Sequence, residues 1–125
     1  MVSRKKLFGL VVFYLAAALV SMGQTVPRRI VFTGSRAAVS GSLSNGHEAN
    51  YIFSAEKGQN VTIRNSRTSQ FDFRVYSEEF GLETEFESSA ALSFNIPETG
   101  DYLFFVRKKM ASPRMSKYSI SITIK

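Results

Sequence analysis

The sequence predicts an all-β domain, an antiparallel β-sandwich of jelly-roll type with about eight or nine short strands. Three observations carry that prediction. Apolar and polar residues alternate with a period of two in several short runs, as in Tyr118-Ser119-Ile120-Ser121-Ile122-Thr123-Ile124. Turn residues interrupt these runs at roughly 8–12-residue intervals, the spacing of sandwiches and barrels. No segment after residue 23 shows a helical period.

The elements follow in order. The chain opens with the basic group Arg4-Lys5-Lys6, an apolar run from Leu7 to Val20, and the small residues of Ser21-Met22-Gly23. That is the pattern of a secretory signal peptide, with cleavage expected between Gly23 and Gln24. The run is shorter than the roughly 20 residues a membrane span needs. A mature domain of residues 24–125 is therefore expected, away from the membrane once the signal is removed. The signal holds three basic residues and no acidic one, so the charge of +6 falls to +3 in the mature chain. An exported chain with that modest charge is a poor candidate for nucleic-acid binding. The sequence has no cysteine, so a periplasmic or secreted bacterial domain must rest on its core alone. Eleven Phe and five Tyr can build one.

Residues 29–33 read as a first strand and Ala37 to Leu43 as a second, with Gly41 as a bulge site. Ser44 to Glu48 is a loop containing Asn45-Gly46, a strong turn dipeptide. Tyr51 to Ala55, Asn60 to Asn65 and Phe71 to Tyr76 are the next strands, and Thr84 to Glu87 is a short charged edge strand. Ala90 to Ile96 follows. Pro97-Glu98-Thr99-Gly100-Asp101 is then a turn that launches Tyr102-Leu103-Phe104-Phe105-Val106. Both faces of that strand are apolar, so it is expected to be central and covered on both sides. Arg107 to Lys117 is read as a long basic loop before the last strand.

Catalysis finds little support. His47 is the single histidine and lies in a predicted loop, with no strained serine turn to partner it. The glutamates of residues 78–87 read as a solvated edge rather than a pair facing across a cleft. No cofactor motif and no metal-ligand spacing occurs. The chain is expected to be no enzyme. The remaining feature is the basic loop, where Arg107, Lys108, Lys109 and Arg114 form a recognition element, with His47 a second contact.

Two stretches and the last strand carry a resemblance. Tyr51-Ile52-Phe53-Ser54-Ala55-Glu56-Lys57-Gly58-Gln59, Pro97 to Val106 and Tyr118 to Ile124 resemble the motifs of the bacterial pre-peptidase C-terminal domain. Within that pattern, Val31-Phe32-Thr33-Gly34, Val39-Ser40-Gly41 and Lys117 to Lys125 are similar to the periplasmic inhibitors of goose-type lysozyme. The resemblance implies a β-sandwich that blocks the lysozyme cleft with a basic loop, here the cations of Arg107 to Arg114. Gly46-His47 stands where those inhibitors are expected to carry an aromatic residue. The alternative is a non-catalytic envelope module that binds glycan or protein.

Overall fold

The computed structural model describes residues 26–125, so the expected signal segment and its cleavage point lie outside the described residues. Every regular element described is a strand: β1 (Arg28–Arg29), β2 (Arg36–Ser44), β3 (Glu48–Ala55), β4 (Asn60–Asn65), β5 (Phe71–Ser77), β6 (Leu82–Glu83), β7 (Ala91–Asn95), β8 (Gly100–Lys108) and β9 (Met115–Ile124). They form two sheets, ordered β1-β3-β8-β5-β6 and β2-β9-β4-β7. All pairings are antiparallel except β1 with β3. The expected sandwich is what the chain forms.

The two sheets face each other with different chemistry. The first contributes rings: Tyr51 and Phe53 from β3, Phe71 and Phe73 from β5, Tyr102 and Phe104 from β8, all buried. Phe53 and Tyr102 stack at 5.8 Å between centroids, and Phe73 meets Phe104 at 6.0 Å. The second sheet contributes β-branched side chains, Val61 and Ile63 from β4 and Ile120, Ile122 and Ile124 from β9. Each such side chain, fully buried, stabilises the fold by roughly 1.5–3 kcal/mol. Tyr118 bridges the layers. Its ring meets Phe71 edge-on, and its hydroxyl lies 2.5 Å from that of Tyr51. Burial, then the bond to Tyr51, pushes the Tyr118 phenol well above the ordinary tyrosine range.

The Pro97–Tyr102 turn has a clear physical basis. The Tyr102 hydroxyl donates to the Glu98 carbonyl at 2.5 Å and accepts from the Glu98 amide at 3.2 Å, so the strand's first inward residue ties its own turn. Gly100 admits the Phe80 ring, which would lie 2.5 Å from any Cβ placed there. The strand launched by this turn is central, as expected.

Four expectations are corrected. The first strand contracts to Arg28–Arg29, because Ile30 turns inward after bonding the Ile52 carbonyl and the chain then crosses to the other sheet. β8 is covered fully on one face only: Tyr102, Phe104 and Val106 are buried, whereas Leu103 and Phe105 on the other face are half-buried. Gly41 is no bulge but pairs in register with Tyr118, whose hydroxyl would sit 2.8 Å from a Cβ there. The charged edge lies at Leu82–Glu83, and residues 84–87 run beside β5 with a single bridge from Glu87 to Phe73.

Candidate partner-binding site

Strand direction decides which loops meet. β3, β5 and β9 begin, and β2, β4 and β8 finish, at one end of the sandwich. That loop end gathers the turn at 45–47, the connection at 66–70 and the β8–β9 loop. The last is shorter than expected, spanning residues 109–114, because β8 continues to Lys108 and β9 begins at Met115. The Ser112–Pro113 peptide within it is cis.

The five residues singled out in the sequence divide into three kinds. Lys108 is fully buried, so it is withdrawn from any contact surface. Its ammonium donates to Asn45 Oδ1 at 2.8 Å, to the Lys109 carbonyl at 2.9 Å and to the Ala111 carbonyl at 3.1 Å. Three donors meet three acceptors, which is the condition for burying such a charge. The reason was present in the alternation: Lys108 continues the inward series of Tyr102, Phe104 and Val106.

Arg107 and Lys109 are tied at the flank. Arg107 belongs to β8 and forks onto Asp72, Nε to Oδ1 at 3.1 Å and Nη2 to Oδ2 at 2.8 Å. The Phe86 ring lies 3.8 Å from its guanidinium carbon. The hydrogen bond to Asp72 raises its pKa further, against the cost of burial. Lys109 donates its ammonium to the Thr68 carbonyl at 2.8 Å.

Arg114 and His47 are exposed at the loop end, and among the described residues neither side chain is hydrogen-bonded or ion-paired. Backbone bonds bring their loops together: the Asn45 amide donates to the Arg114 carbonyl at 2.8 Å, and the Lys108 amide to the His47 carbonyl at 2.9 Å.

Several residues that sequence reasoning passed over complete the site. Gln70 is buried and joins the third loop, donating from Nε2 to the Ser112 carbonyl at 2.9 Å and accepting from Ser116 Oγ at 3.1 Å. Gly46, at φ +79°, completes the turn in which the His47 amide bonds the Ser44 carbonyl at 3.0 Å. Met110 and Met115 are 79% and 60% exposed; Met115 directly follows Arg114, and Met110 lies earlier in the same loop. Met115 takes an outward-facing position in the alternation of β9, whereas Met110 lies within the loop of residues 109–114. No periodic signal marks a residue inside a six-residue loop, so only the fold reveals it. Among the described residues no three His, Asp or Glu side chains gather as a metal site would require.

This arrangement offers a rigid rim with a cation, an imidazole and two apolar thioether side chains, suited to a concave partner surface carrying acidic groups. It contains no paired acid and base.

Comparison with known proteins places the fold. No protein-family model matches the sequence, and no curated protein matches it. Solved structures do match. The chain is similar to PliG of Aeromonas hydrophila, a periplasmic inhibitor of g-type lysozyme, at 22% identity and a TM-score of 0.64, over 79% of this chain and 96% of that one. PliG of Salmonella Typhimurium, also a periplasmic g-type lysozyme inhibitor, gives 22% identity and 0.64 over 81% and 100%. The pre-peptidase C-terminal domain of a Bacillus anthracis collagenase gives 16% identity and 0.53 over 82% and 97%. The β-sandwich of this chain is the fold that the PliG inhibitors and the pre-peptidase C-terminal domain share.

Proposed function

We propose that this chain is an exported, non-catalytic inhibitor of goose-type lysozyme, acting in the periplasm or after secretion, and that its loop end enters the enzyme cleft. The observation that carries the reading is the rim of Arg114, His47, Met110 and Met115, held rigid by the buried Lys108 on a fold shared with such inhibitors.

A cleft that cleaves glycosidic bonds presents a carboxylic acid. Arg114 can meet that group with charge-assisted, bidentate bonds that a lysine cannot reproduce. Met110 and Met115 adapt to irregular apolar walls. The lacing of the three loops lowers the ordering cost of association, because the rim is set before the partner arrives. Lys108 and Lys109 act as scaffold, and Arg107 as a flank of the contact.

Titrating the purified protein against goose-, chicken- and invertebrate-type lysozymes, with cell-wall lysis as readout, tests the reading. Inhibition of the goose type is expected, and its absence at micromolar excess would sink the proposal. Arg114→Ala should weaken inhibition about tenfold or more, mainly through faster dissociation. Met110→Ser should weaken it less and leave the melting curve in place. Equal inhibition by both variants would move the contact away from this rim.

A further inference from the structure

The opposite end of the sandwich holds a cavity of about 640 Å³ between the two sheets, the size of a small-ligand pocket. Phe32, Ala55 and Ile124 form its apolar wall, and Glu56, Gln59 and Thr99 are among the polar residues around it.

Its charge is unusual for this basic chain. The neighbouring cations face elsewhere: Arg29 forks onto Asp101 at 3.2 and 3.1 Å, and Lys57 lies 4.0 Å from Glu98. No cation lines the cavity, and among the described residues the Glu56 carboxylate has no side-chain partner. Internal bonds have also sorted the donors. Gln59 Oε1 accepts the Glu56 amide at 2.7 Å, which leaves its Nε2 hydrogens free to donate. Thr99 Oγ1 accepts the Lys57 amide at 3.0 Å, which leaves its hydroxyl proton. The cavity thus presents one carboxylate acceptor able to take two donors, an amide donor and a hydroxyl donor, beside an aromatic and aliphatic wall.

We propose that this cavity binds a neutral saccharide of one or two rings. Adjacent hydroxyls of a sugar can both donate to Glu56, Gln59 and Thr99 can donate to further oxygens, and the apolar wall receives the ring's C–H face. An anionic ligand is disfavoured by Glu56 and the missing cation. The site binds without cleaving, because glycoside hydrolysis needs two working carboxyls. Of the carboxyls flanking the cavity, Asp101 is held by Arg29 and by Ser54 Oγ at 2.7 Å, and Glu98 faces Lys57.

The test is ¹H–¹⁵N NMR titration of the purified protein with cellobiose and with N,N′-diacetylchitobiose, beside glucuronate and spermidine as charged controls. Saturable shifts centred on Phe32, Glu56, Gln59 and Thr99 are expected for at least one disaccharide, with a dissociation constant at or below about 1 mM. Phe32→Ala and Glu56→Gln should each weaken binding about tenfold. Glu56 is exposed, so its variant tests the site without unfolding the protein. Arg114→Ala should leave binding unchanged. The proposal is overturned if neither disaccharide shifts these amides at about 10 mM, if Glu56→Gln binds as the parent does, or if only spermidine binds. Lysozyme inhibition reads the other end, so either proposal can fail alone.

Discussion

At the loop end, Lys108 carries its charge into the interior and binds three loop acceptors, while at the turn end Arg29 and Lys57 stay at the surface and face carboxylates. The same residue types therefore do different work. A buried ammonium with three oxygens around it fixes backbone, and removing one partner leaves an unmet charged donor. An exposed ion pair contributes about 1 kcal/mol or less. The turn end takes its rigidity instead from Tyr102 closing on Glu98 and from Phe80 over Gly100. Side chains left over from these tasks then define each end: Arg114 with two methionines at one, Glu56 beside an apolar wall at the other.

The largest expected effect breaks the loop-end lace. Asn45→Ala deprives the buried Lys108 ammonium of one acceptor, and should cost about 3 kcal/mol in urea unfolding. Lys57→Met at the turn end should stay within about 0.5 kcal/mol of the parent. Equal midpoints for the two variants would remove the contrast between the ends.

Gly41→Ala forces a Cβ against the Tyr118 hydroxyl and should destabilise by about 1–3 kcal/mol. A variant as stable as the parent would show that the Tyr51–Tyr118 pair shifts freely. Tyr102→Phe keeps the buried ring but loses both bonds to the Glu98 backbone, and about 1–2 kcal/mol is expected in the same assay. Hydrogen exchange should quicken at the turn of residues 97–101 and remain unchanged at 109–114.

The smallest effect is read in acid. The hydrogen bond from Arg29, then that from Ser54, holds the Asp101 carboxyl below its ordinary range. A carboxyl lowered in the folded state contributes stability above its unfolded value of about 3.9, and loses it as pH falls through the lower folded value. The parent should therefore lose slightly more stability than Asp101→Asn between about pH 4 and pH 2. Superimposable acid profiles would mean that solvent screens the pair completely.

Alternation and turn chemistry were sufficient for most of the fold. Val61 and Ile63, Phe71, Phe73 and Val75, and Tyr118, Ile120, Ile122 and Ile124 point inward as their period of two requires. The functional end was less legible, for a reason visible in Lys108. A lysine beside two other cations looks like part of an exposed loop, although its place in the alternation puts it inside. Hydrophobic pattern stops at the last apolar residue, and a strand ending in a buried charge runs past that point.

The sequence by itself determined an all-β chain, its inward-facing residues and the turn from Pro97 to Tyr102, because those follow from local backbone chemistry and a two-residue period. Tertiary structure alone decided which partner holds each cation, where Met110 stands, and that a cavity opens beside Glu56. The state of each cation depends on a partner distant in the chain, Asn45 for Lys108, Asp72 for Arg107 and Asp101 for Arg29. A charge is free only when no such partner reaches it, and that is a property of the folded chain.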